Sequence, residues 1–112
     1  NKVSVVPVGD ENTKIQYELI LRDYDKTIDL TPDFSFAYFN KGNLYRSMKN
    51  FKSAVSSYTK AIEIDPDFAE SYYNRGISHL YLNDKINATR DLSKSGELGI
   101  YQSYSIIKRL QE

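Results

Sequence analysis

The side chains able to do chemistry are few and scattered. The 112 residues contain one histidine, His79, and no cysteine. A metal centre needs several converging ligands, and a lone imidazole with no thiolate beside it does not make one. His79 is therefore read as a core or interface residue. Asp23 and Asp25 flank Tyr24 and point to different sides of a helix. Acid–base work by two carboxylates needs both on one face, so they are read as solvated surface. Asn87-Ala88-Thr89 is a formal glycosylation sequon, but it falls inside a helix rather than a surface loop and is read as coincidence. There is no glycine-rich phosphate loop, no Ser/His/Asp set and no zinc spacing. Catalytic residues, a metal and a cofactor are not expected. What remains is binding chemistry: asparagine amides, which donate and accept at once, set among many aromatic rings.

Bulk composition narrows the partners. Fifteen basic and fifteen acidic residues cancel, which argues against an electrostatic nucleic-acid binder. Ten Tyr and five Phe against no Trp are a heavy aromatic load, suited to helix interfaces with some left for a contact surface. No apolar run approaches the roughly 18–20 residues a membrane span requires. The chain starts at Asn1 and is read as a piece of a longer protein. No compartment follows from that, and the cytoplasm is only a default.

The elements that must position these residues are helices. Residues 1–10 contain Pro7 and Gly9 and are read as an extended arm. From Glu11 to Leu30, Ile15, Leu19, Tyr24 and Ile28 follow one stripe until Thr31-Pro32-Asp33 stops the helix. Further helices are expected over Phe34–Met48, Phe51–Ile64, Phe68–Leu82, Lys85–Leu98 and Ile100–Leu110. Gly42 and Gly76 sit in mid-helix, where glycine costs about 1 kcal/mol relative to alanine, so close approach by another helix is expected there. Connections of two to four residues force neighbouring helices to pack antiparallel.

The helices repeat. At an offset of 34 residues the pairs Tyr24/Tyr58, Ile28/Ile62, Pro32/Pro66, Phe34/Phe68, Tyr38/Tyr72, Asn40/Asn74, Gly42/Gly76 and Ala54/Ala88 are identical. Within Ser35–Phe68 stand Tyr38, Gly42 and Tyr45 on the first helix, Ala54, Tyr58 and Ala61 on the second, and Pro66 at the close. This set resembles the tetratricopeptide repeat family. The resemblance implies an all-α fold, a right-handed superhelix of antiparallel hairpins with about six helices. It divides the chain into the arm at 1–10, a half repeat at 11–34, repeats at 35–68 and 69–98, and a capping helix at 99–112. The second repeat departs from the pattern at His79, Leu92, Ser95 and Ile100. Gly96 and Gly99, with the loss of proline, are read as the end of the array.

The resemblance also implies a concave face lined by the first helix of each repeat. Here that face would carry Phe36, Phe39, Asn40, Asn43 and Arg46, then Glu70, Tyr73, Asn74, Ile77 and Tyr81. Asparagines there would hold a peptide by its amides and aromatics would anchor it, unless Asn40 and Asn74 bond within the scaffold. Some family members hold the carboxylate end of chaperone tails with a Lys/Asn/Arg clamp. The positions of its basic residues are Phe36, Phe39, Glu70 and Asn74 here, so that ligand is not expected. The function implied is a protein-interaction module that presents its groove to a peptide or protein segment. The alternative is a structural spacer or cap of a longer array, or self-association through the exposed N-terminal helix.

Overall fold

The computed structural model describes residues 11–112, so the arm expected over residues 1–10 lies outside the described residues. Six helices follow one another: α1 (Glu11–Leu30), α2 (Ser35–Ser47), α3 (Phe51–Ile64), α4 (Ala69–Tyr81), α5 (Lys85–Glu97) and α6 (Gln102–Leu110). There is no strand among the described residues. The hairpins are α2–α3 and α4–α5, α3 stacks on α4, and α5 on α6. α2 also touches α4, which places the first helices of the two repeats side by side in one layer.

Local chemistry sets the helix ends. Lys49, Asn83 and Gly99 follow α2, α4 and α5 at the same position, each with positive φ, at 60°, 60° and 113°. The residue after each one donates its N–H back into the helix: Asn50 to Tyr45, Asp84 to His79 and Ile100 to Ser95. Together with the Lys49–Arg46, Asn83–Leu80 and Gly99–Gly96 bonds, these are three Schellman closures. Asn50 and Asp84 then cap the next helix, accepting from the N–H groups of Ser53 and Asn87. The Gly99 closure explains why α6 starts at Gln102 rather than Ile100. Phe34 and Phe68 precede α2 and α4 as N-cap residues and are not their first helical residues.

The core runs along the hairpin seams. Ala37, Ala54, Tyr58, Ala61, Phe68, Ala88 and Leu92 are buried. A Cβ on Gly42 would lie 2.6 Å from the Tyr58 ring, and one on Gly76 would lie 3.0 Å from Leu92 Cγ and 3.3 Å from the Ala88 carbonyl. The mid-helix glycines are thus where the second helix of each hairpin presses closest. α1 has no buried residue, and Ile15, Leu19, Ile20 and Leu30 stay exposed; among the described residues its main packing partner is α2.

The repeat register slips at α6. Ala37 and Ser71 are buried small residues one turn after Phe34 and Phe68, and their N–H groups bond to those residues' carbonyls. The equivalent in α6 is Ser103, buried and bonded to Ile100, whereas a 34-residue spacing from Ser71 points to Ser105, which is exposed. Ser103 meets the buried Ser95 hydroxyl, and the Tyr104 ring covers Gly96. Gly96 is therefore a packing site.

Candidate functional site

The layer made by α2 and α4 holds an open cleft of about 700 Å³ lined by Arg46, Ser47, Lys49, Phe51, Tyr73, Ile77 and Tyr81. Ile77 and Tyr81 also line an adjoining hollow of about 360 Å³ with Leu80 and Ile106. The two share a wall, so one path crosses from α2 over α4 to α6, polar at Arg46, Ser47 and Lys49 and largely apolar beyond them. Of the expected contact residues, Arg46, Tyr73, Ile77 and Tyr81 come together on it.

Asn43 and Asn74 do something else. The Asn74 amide donates to Asn43 Oδ1 at 2.9 Å, and the same oxygen accepts from the Tyr58 hydroxyl. This triad ties α2, α3 and α4 together. Burial pushes the Tyr58 phenol up to about 12, partly offset by the Arg46 charge and the Asn74 side chain. Asn74 thus bonds within the scaffold, the alternative left open by its residue type.

Phe36 and Phe39 lie apart from the cleft. Their rings stand 5.0 Å and 4.7 Å from Phe68, and Phe39 also meets Tyr58 at 5.9 Å. Phe39 is a half-buried member of this aromatic cluster, while Phe36 remains exposed. Asn40 and Glu70 also stand off the cleft; Asn40 is half-buried and Glu70 exposed.

Ser47, Lys49 and Phe51 line the cleft without having been expected there. Phe51 opens α3, and its ring stacks on Tyr81 at 4.5 Å with an interplanar angle of 1°. The only signal for it was its place directly after the α2–α3 turn, which carries it back beside the end of α4.

The charged core was also unforeseen. Arg75 on α4 grips Asp91 on α5 at two points, Nε to Oδ2 and Nη2 to Oδ1, both 2.7 Å. Its Nη1 donates to Thr59 Oγ1 on α3 at 3.0 Å. The previous repeat uses the equivalent position in the opposite direction. Lys41, 34 residues before Arg75, pairs with Asp25 at 2.7 Å, and Asp25 is the equivalent of Thr59. Asp25 is therefore a link between α1 and α2, and both it and Asp23 are exposed, as a solvated surface requires.

The remaining reactive side chains are engaged or alone. His79 is largely buried, its nitrogens 3.7 Å from Asp91 Oδ2 and 3.8 Å from Asp84 Oδ2, and Nδ1 has no hydrogen-bond partner. Asn87 Nδ2, the sequon nitrogen, donates to Asp84 Oδ2 at 2.6 Å. These Asn87 bonds hold the Asp84 carboxyl below its ordinary range. Among the described residues no group of three His, Cys, Asp or Glu side chains could hold a metal ion. No helix among them is long and apolar enough to cross a membrane.

Two family models match, both described as tetratricopeptide repeat, over residues 35–68 and 57–91. A search of curated proteins finds no match. Several solved structures are similar. The first tetratricopeptide domain of Spaghetti (RPAP3), bound to the HSP90 peptide SRMEEVD, is 20% identical with a TM-score of 0.79, covering 88% of this chain and 79% of that one. The N-terminal domain of stress-induced protein-1 from C. elegans is 25% identical with a TM-score of 0.75, covering 80% and 76%. The TPR2B domain of yeast Sti1, in complex with pHsp70, is 22% identical with a TM-score of 0.72, covering 88% and 82%.

Proposed function

The chain belongs to the tetratricopeptide repeat family, and from that premise we propose that the cleft between α2 and α4 is where it holds its partner. It is a protein-interaction module, and the partner is a protein or peptide segment. The reading rests on one observation: Arg46, Tyr73, Ile77 and Tyr81, from two helices of successive repeats, line a single open cleft. Such a surface works by preorganised shape. The helices are held by the Asn43–Asn74–Tyr58 triad and the Arg75–Asp91 pair, so little ordering cost falls on binding. The family and fold are those of protein-binding modules, and no reaction is assigned.

Similar structures hold HSP90 and Hsp70 segments. Phe36, Phe39, Glu70 and Asn74 occupy the positions that supply the cations of the chaperone-tail clamp, so a chaperone tail is not the partner proposed here. Phe36 and Phe39 with Asn40, Asn43, Glu70 and Asn74 are assigned to the scaffold or the cleft's surroundings rather than to direct contact.

The test is selection of peptides from a random twelve-residue phage-displayed library on the folded chain. Binding of the selected peptides is expected to disappear in Tyr73→Ala and Ile77→Asp, with helical content retained. Binding that survives both substitutions overturns the assignment.

A second reading is supported by α1, whose Ile15, Leu19 and Ile20 are exposed. In it, this face packs on a second copy or on further repeats. Sedimentation equilibrium separates the two, since a concentration-independent monomer removes self-association.

A further inference from the structure

The charges around the cleft are all of one sign. Its lining carries Arg46 and Lys49 and no carboxylate. Neither cation is in an ion pair among the described residues, whose pairs involve Lys41, Lys60, Arg75 and His79. Both cations stand where α2 ends and turns into α3. From there the path continues over the apolar surfaces of Tyr73, Ile77 and Tyr81 to Leu80 and Ile106.

Lys49 adds an independent observation. It adopts φ 60°, a left-handed conformation that strains side-chain-bearing residues and suits glycine. The same closure after α5 does use glycine, at Gly99. Fold stability alone favours glycine at 49, as it does at Asn83, yet the residue there is a lysine, and it lines the cleft.

We propose that the bound segment is acidic: an apolar side chain seats against Ile77 and Tyr81 while neighbouring Asp or Glu side chains face Arg46 and Lys49. This rests on the cleft being the partner site. The acidic groups are side chains within the segment rather than a terminal carboxylate. Two separate cations on different side chains match two separate carboxylates, and the path across α4 and α6 takes a segment that runs on beyond them. Neither cation stands at one of the clamp positions, Phe36, Phe39, Glu70 and Asn74.

The library selection supplies the test. Selected peptides are expected to pair an apolar residue with nearby Asp or Glu. Synthesised with an amidated carboxyl terminus, they should keep their affinity and lose it as salt rises. Arg46→Gln and Lys49→Gly should each weaken them by roughly two- to five-fold. Lys49→Gly carries the sharpest contrast, because it should raise the melting temperature while weakening binding. A purely structural Lys49 would give the rise without the loss.

Peptides without acidic enrichment, or affinities unmoved by Arg46→Gln and Lys49→Gly, overturn the acidic assignment. The cleft itself still stands if Ile77→Asp abolishes their binding. Affinity lost on amidation shows terminal-carboxylate recognition and also overturns it. Peptides indifferent to Ile77→Asp overturn the cleft reading beneath it.

Discussion

The Arg75 guanidinium and the Asp91 carboxylate form a two-point fork at 2.7 Å and 2.7 Å across the α4–α5 hairpin. Asp91 is only 4% exposed. A planar fork satisfies both carboxylate oxygens at once, which a lysine cannot do. Thr59 takes a further donor, so the pair joins α3, α4 and α5.

Asp91→Ala should therefore cost about 3 kcal/mol, since it leaves a largely buried guanidinium without its counter-ion. Arg75→Met with Asp91→Leu should cost less than either single change, because no lone charge remains. Urea denaturation of the two singles and the double measures this. A double variant whose loss equals the sum of the singles would show that the fork is not coupled.

Gly42 and Gly96 offer a matched comparison. At each, an added Cβ would come 2.6 Å from a tyrosine ring. Tyr58, over Gly42, is fully buried and its hydroxyl is fixed by Asn43. Tyr104, over Gly96, is 48% exposed. Gly42→Ala should destabilise by about 2 kcal/mol, overpacking outweighing the gain in helix propensity. Gly96→Ala should fall within about 1 kcal/mol of zero, because Tyr104 can swing aside. Equal losses would contradict the account.

The stability should depend on pH at both extremes. The Tyr58 phenol is raised in the folded state to about 12 by burial, against about 10 in an unfolded chain. Its contribution is whole below pH 10 and is lost as pH rises toward 12. Tyr58→Phe should flatten that alkaline limb relative to the wild type in denaturation midpoints. Asp84 behaves oppositely: its folded value is lowered by its Asn87 bonds. Its contribution is present above the ordinary carboxylate range and is lost as pH falls through the lowered value, so Asp84→Asn should flatten the acid limb.

The sequence by itself determined the architecture. The 34-residue recurrence of Tyr, Gly, Ala and Pro specifies helix spacing, close-approach points and stops, because each acts on the backbone or its nearest neighbour. Mid-helix Gly42 and Gly76, the break at Thr31-Pro32 and the all-helical reading all depend on local rules, and the chain meets them. Tertiary structure decided which side chains share a surface. Tyr73, Ile77 and Tyr81 are legible as one face of α4, and Arg46 as a neighbour on α2, but Lys49 and Phe51 join them only because a turn folds back beside α4. Phe39 and Asn74 have residue types suited to a ligand, yet neighbouring helices offer them Phe68 and Asn43 first. The Arg75–Asp91 fork left no local trace, since its partners sit 16 residues apart on different helices. The α6 slip to Ser103 likewise arises from a long-range fit, Tyr104 over Gly96 and Ser103 against Ser95, which no spacing along one chain encodes.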